Sequence, residues 1–302
     1  MDYKLLEKLC SIPGISGDEA AISAFILDYV KIHSPSWKVC PEVISGPELQ
    51  DGIVLKFGNP RVAVFSHIDT VGYTVGYGNN LIKVGGPSAK NKTKLVDSQG
   101  RACVLHRDKV GNLSYTGKFS YERGTGLSYA SNFRISDSNI QSPYLDNRLG
   151  VFVSLKLAEE LENGIIAFTT YEEVGGGNAQ VLARYIFEHY KVSKALIADI
   201  TWITSGVQPG NGVAISTRDS GIPRRKYVQE IVRLAGLSGV PFQLEVESSG
   251  GSDGNVLQAS AYPFDWCFIG APEDNVHNPD EKVDIQDVES MLAIYKFLMM
   301  NL

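Results

Sequence analysis

The chain has 302 residues, 43% hydrophobic and 21% charged, a balance that excludes disorder, collagen and coiled coil as its main description. No apolar run approaches the ~18 residues of a membrane span, residues 1–10 lack the basic-then-apolar layout of a signal peptide, and a net charge of −6 argues against nucleic acid or an anionic membrane as partner. Cys10, Cys40, Cys103 and Cys267 are scattered, with no Cys-x-x-Cys, and read as reduced thiols of a cytoplasmic protein.

The chain opens on a short helix carried by Leu5, Leu6 and Leu9, broken at Ile12-Pro13-Gly14. A second helix follows, with Ile22, Phe25, Ile26 and Tyr29 as its apolar stripe and Ser16 and Glu19 at capping-box spacing. Strands are expected at 53–57 and 61–66, the latter nearly all apolar, as in a strand buried on both faces. Between 74 and 143 short β-prone runs, such as 102–105 and 113–115, alternate with Gly, Ser and Asn, which reads as a small β-rich unit with many turns. That stretch holds ten Lys or Arg against four Asp or Glu, and the remainder 18 against 30, so a +6 block lies inside a −12 chain. Beyond 143, helices at 147–162, 178–190, 222–236, 254–261 and 284–300 alternate with strands at 165–170, 194–198, 212–216, 242–247 and 265–269. The alternation implies an α/β fold, a three-layer αβα sandwich on a mostly parallel mixed sheet. The expected organisation is a discontinuous α/β domain, 1–73 and 144–302, interrupted by an inserted β-rich subdomain, 74–143.

Three apolar strands run into acidic or histidine residues at their carboxyl ends, where open α/β sheets bind ligands: His67 and Asp69, Glu172 and Glu173, and Asp199. Asp146, at the start of a helix, is by itself as well explained as an N-cap. His277 precedes Asn278-Pro279, which bars a helix there, and by itself reads as an exposed loop residue. Together, two imidazoles and several carboxylates suit Zn²⁺, Co²⁺ or Mn²⁺ better than Ca²⁺ or Mg²⁺. They exceed the needs of one tetrahedral ion and suit two ions sharing a carboxylate. Asp69, two residues beyond His67, is placed to accept the histidine's other ring N–H and fix its tautomer.

In this order, His67-Ile68-Asp69-Thr70-Val71-Gly72, Leu145-Asp146-Asn147-Arg148, Glu172-Glu173-Val174-Gly175, Gly250-Gly251-Ser252-Asp253 and Val276-His277-Asn278-Pro279 resemble the glutamyl or deblocking aminopeptidase family of di-metal exopeptidases. Its best-known members form hollow tetrahedral particles, and some relatives have been labelled endoglucanases. The resemblance implies a zinc-exopeptidase-like fold and two divalent ions per subunit, zinc foremost, with cobalt or manganese as alternatives. It implies His67 and Asp199 on one ion, Glu173 and His277 on the other, and Asp146 bridging both. Glu172 would be the general base toward a shared water and Asp69 an outer residue. The substrates would be peptides that lose their N-terminal residue.

Related di-metal deacylases and carboxypeptidases, which share the ligand order, carry their extra domain between the fourth ligand position and the final histidine. Here the inserted stretch lies between Asp69 and Asp146, although at about 70 residues it is short for the aminopeptidase family. A glucanase would leave both histidines without a task, and a non-enzymatic metal-binding homologue would not need the base. Substrate-binding candidates are Arg148, Arg218 and Asp253. The basic, turn-rich insertion is expected to mediate a homo-oligomer, a dimer or small assembly ahead of a twelve-subunit shell.

Overall fold

The computed structural model describes residues 1–302 and contains two sheets, of eleven and six strands. At the centre of the large sheet, Gly164–Thr169, Ala63–His67, Lys194–Trp202 and Asp265–Asp274 run side by side in parallel. Antiparallel strands flank them: Ile53–Phe57 and Glu42–Ser45 on one side, Glu281–Asp284, Asn139–Ser142 and Arg134–Ile135 on the other. Val213–Arg218 branches antiparallel from Asp265–Asp274 and pairs in parallel with Phe242–Val246.

Successive side chains of a strand face opposite ways, and here both ways lead into apolar cores. Val64 joins one cluster, while Ala63 and Phe65 join the other. The first is closed by the helices Lys4–Ser11, Ala20–His33, Leu145–Ala158, Arg225–Ser238 and Ile285–Asn301, through residues such as Leu9, Ile26, Phe152, Ile231 and Tyr295. The second is closed by Ala179–Tyr190 and Asp253–Ala259, through Leu182, Ile186 and Leu257. The result is the three-layer sandwich that the alternation of elements predicts. Burial on both faces is why 63–67 and 164–169 read as continuous apolar runs.

The small sheet is antiparallel throughout and consists of Gly72–Val75, Leu81–Val84, Lys94–Val96, Ala102–Arg107, Leu113–Thr116 and Gly126–Tyr129. It has its own core around Tyr73, Leu95, Leu105 and Leu127. The end of the basic stretch behaves differently. Arg134–Ile135 and Asn139–Ser142 pair with the large sheet, because Ile140 is buried in the large core. Ser16 and Glu19 are also not the capping box that their spacing suggests: Ala20–His33 has no side-chain cap. Ser16 Oγ donates to the Asp69 carboxylate at 2.7 Å, and Glu19 accepts from the Tyr171 N–H at 3.3 Å. Tertiary partners near the sheet's carboxyl edge take both side chains away from the helix end.

Candidate metal centre

The parallel strands place their polar residues at one edge. Ala63–His67 ends on His67, Gly164–Thr169 leads into the single turn Glu172–Val174, and Lys194–Trp202 carries Asp199. Asp146 and Asn147 depart from helical geometry at the start of Leu145–Ala158, with ψ of 106° and 39°. Asp146 is therefore not a helix cap, and its carboxylate is free to turn toward the histidines. Gly150, one turn on, lies so close to the Ala198 carbonyl that a Cβ would strike it, so the helix can press against the strand bearing Asp199. His277 stands in the loop before Glu281–Asp284 with φ +64°.

Two three-residue groups result. His67 Nε2 lies 3.2 Å from Asp146 Oδ1 and 3.5 Å from Asp199 Oδ2. His277 Nε2 lies 3.2 Å from Asp146 Oδ2 and 3.1 Å from Glu173 Oε2. Each group has the spacing to hold one cation, and Asp146 belongs to both. Glu172 Oε2 stands 3.9 Å from His67 Nε2, beside the ligand-capable atoms.

Buried donors and acceptors fix these side chains. Asp69 is fully buried, and its carboxylate accepts from Ser16 Oγ and from the backbone N–H groups of Glu172 and Glu173 at 3.1 Å each. His67 Nδ1 meets the Asp69 carbonyl at 3.2 Å and its carboxylate at 3.5 Å. Asp69 thus orients both the imidazole and the turn carrying the two glutamates. Glu281, also fully buried, accepts from the Asp146 N–H at 3.2 Å and the His277 N–H at 2.9 Å, tying two elements together. The His277 carbonyl accepts from the Ser88 N–H and from Tyr129 Oη, both at 3.0 Å and both from the basic stretch.

The electrostatics favour a cation. Burial works against charge on His67, but the Asp199, Asp146 and Asp69 carboxylates push its pKa well above the usual imidazole range. His277 is driven up to about 11 against burial by Asp146 and Glu173. Burial and neighbouring acids raise Glu172 well above, and Glu173 to about 7. Glu173 Oε1 is buried without a partner. Five carboxylates around two imidazoles, with an orphaned oxygen among them, fit the donor set of divalent transition metals.

A cavity of about 360 Å³ opens from this centre, lined by Asp146, Glu172, Glu173, Asp199 and His277 and extending past Trp202 to Asp219, Glu245 and Glu247. The three substrate-binding candidates do not line it. Arg148 is fully buried, and its guanidinium donates to the Ile68 and Ile12 carbonyls. Arg218 donates to the Asp219 carbonyl. Asp253 is buried and accepts from Thr169 Oγ1. Sequence reasoning missed Glu281, the Ser88 and Tyr129 brace and the acidic cavity wall. Only Glu281, four residues beyond His277, had a local signal.

Known proteins share this architecture. The family model described as M42 glutamyl aminopeptidase matches residues 117–294. A lysyl aminopeptidase of Pyrococcus furiosus is 22% identical over 100% of this chain and 98% of its own. Among solved structures, an aminopeptidase of the archaeon Desulfurococcus kamchatkensis is 20% identical, with a TM-score of 0.85 over 98% of this chain and 93% of that one. The TET1 peptidase of Pyrococcus horikoshii, described as assembling into a tetrahedron or a large octahedral shell, is 22% identical with a TM-score of 0.83 over 99% of each chain. The fold is that of the aminopeptidases. The chain belongs to the M42 glutamyl aminopeptidase family, and its reaction is an aminopeptidase's hydrolysis of peptides.

Proposed function

We propose that the protein is a di-metal aminopeptidase, of zinc or cobalt type, that removes the N-terminal residue of peptides. The observation that carries this reading is Asp146, whose two oxygens each lie 3.2 Å from a different histidine, between two three-residue ligand sets. His67, Asp146 and Asp199 would hold one cation, and Asp146, Glu173 and His277 the other. When bound, two divalent cations would polarise the scissile carbonyl and acidify an adjacent water toward neutrality.

The protein's own groups do the rest. Glu172 is half-buried, belongs to neither ligand set and stands 3.9 Å from His67 Nε2, which places its carboxylate beside both sets as a general base. It takes the proton of the attacking water as the oxygen bonds to the carbonyl carbon. It returns that proton to the departing nitrogen as the C–N bond breaks. Asp69 keeps the His67 tautomer and the Glu172–Glu173 turn in place. The carboxylate-rich mouth anchors the free α-amino group, which limits cleavage to the first residue.

The chemistry is assigned to 1–73 with 144–302, and the inserted stretch 74–143 to a homo-oligomeric contact. A cytoplasmic setting is supported by the four free thiols. The test is metal analysis beside hydrolysis of aminoacyl anilides by purified protein, stripped and then reloaded with Zn²⁺, Co²⁺ or Mn²⁺. Two equivalents of metal and restored hydrolysis are expected. A protein that hydrolyses anilides equally well after stripping would overturn the reading.

A further inference from the structure

We infer that the cavity beside the metal centre is a side-chain pocket for a cationic N-terminal residue, so that the preferred substrates begin with lysine or arginine. This rests on the aminopeptidase reading above and assigns the side of the site that faces away from the ligands. The far wall is acidic: Asp219 follows the strand Val213–Arg218, and Glu245 and Glu247 come from the end of its parallel neighbour Phe242–Val246. No lysine or arginine lines the cavity. None of the three carboxylates has a cation within 4.0 Å, since Arg218 engages the backbone carbonyl of Asp219 and not its carboxylate.

Glu245 is only 4% exposed, yet it faces the cavity and its single side-chain donor is the Thr201 hydroxyl. Burying a carboxylate without a counter-charge is costly. Burial, with Glu245 as a like-charged neighbour, raises Asp219 to about 6. Asp219 is held by the Gly221 N–H. Arg218, outside the cavity, offsets part of the charge on Asp219, but no positive side chain lines the cavity itself, and a substrate can supply one.

The geometry suits a long side chain. Thr201 lies on the same face of Lys194–Trp202 as Asp199, two residues on, or about 6.6 Å along the strand. A residue whose carbonyl sits at the ligand cluster therefore meets Glu245 at about the reach of a four-carbon stem carrying an ammonium. Apolar wall is confined to Ile200, Trp202, Val256 and Phe268, and Trp202 is 43% exposed at the rim, where its ring can cover the stem of a lysine or the plane of a guanidinium. A glutamate side chain there would add a fourth carboxylate to an uncompensated wall.

The experiment compares kcat/KM of the metal-loaded enzyme on Lys-, Arg-, Leu- and Glu-anilides, with free lysine, norleucine and glutamate as competing inhibitors. Lys and Arg are expected to exceed Leu roughly 10- to 100-fold, the scale of a hydrogen bond to a charged group. Glu should be poorest, and lysine the tightest inhibitor. Glu245→Gln, Asp219→Asn and the half-exposed Glu247→Gln should each lower the Lys:Leu ratio, mainly through KM, and Glu247→Gln keeps the test open if Glu245→Gln fails to fold. Leu or Glu turned over as well as Lys, or a ratio unmoved in the folded variants, would overturn the pocket assignment while leaving the aminopeptidase standing. Absence of hydrolysis of every anilide would overturn both.

Discussion

The two halves of the candidate metal centre are built differently. The half around His67 and Asp199 sits on the ends of central parallel strands, held by a continuous ladder and by the fully buried Asp69, and the His67 side chain is 2% exposed. The half around Glu173 and His277 sits on a one-turn helix and a loop, with left-handed backbone at Tyr171 and His277, and the His277 side chain is 27% exposed. Strand ends give one group a rigid frame. The other borrows its frame from the first residue of a flanking antiparallel strand, Glu281, and from outside the large sheet through Ser88 and Tyr129. The first should hold its cation tightly and exchange it slowly, and the second should exchange more readily.

The most severe way to break this comparison is to remove what the halves share. Asp146→Ala should empty or scramble both positions and abolish hydrolysis, and elemental analysis still finding two metals per chain would return Asp146 to a structural role. Next comes the division of labour between neighbours. Glu172→Gln should keep its metals and lose kcat by about 10²- to 10⁴-fold. Glu173→Gln should lose the more exposed cation, and the opposite pattern of metal content would exchange their roles.

The asymmetry itself is tested by chelator titration. His277→Ala should retain about one tightly held metal and His67→Ala should retain only a labile one, and equal lability in both would erase the distinction. The gentlest probe is Tyr129→Phe, which removes one donor to the His277 carbonyl. It should weaken only the exchangeable cation, by about 10-fold or less, at the low end of what outer partners contribute. No change in either affinity would show that the brace is not energetically coupled to the site.

What could be read from residues alone follows the same division. His67 and Asp69 share one strand end, Glu172 and Glu173 are adjacent, and Asp199 ends an apolar run, so local pattern placed them at the carboxyl edge of a parallel sheet. Asp146 and His277 carry no such signal, because each has a bland local explanation, and they became legible only as members of an ordered set. The pairing of Ser16 with Asp69, the Tyr129 brace and the meeting of Asp219 with Glu245 depend on loops from distant elements converging. Periodicity does not encode that. Ser16 and Glu19 show the same limit from the other side: their spacing satisfies a local rule, and a tertiary partner outbids it. Strand ranges suffered less, although Asn139–Ser142 left the texture of its neighbours to join the large sheet through Ile140.

The clasp on the His277 carbonyl has a consequence for how the molecule opens. Ser88 and Tyr129 belong to the stretch that carries the small sheet, Tyr129 stacks on Tyr144 at 5.5 Å, and Gly86 lies so near the His277 ring that a side chain there would strike it. A cation on the His277 side would therefore tie two separately cored sheets together, and whatever binds the closed arrangement but not the open one stabilises it by mass action. Amide protons of the small sheet should then report metal concentration. Their exchange should slow as the weaker position fills, while strands such as Ala63–His67 exchange at the rate of global unfolding throughout. A small sheet that exchanges identically with and without metal would mean that the two cores open independently.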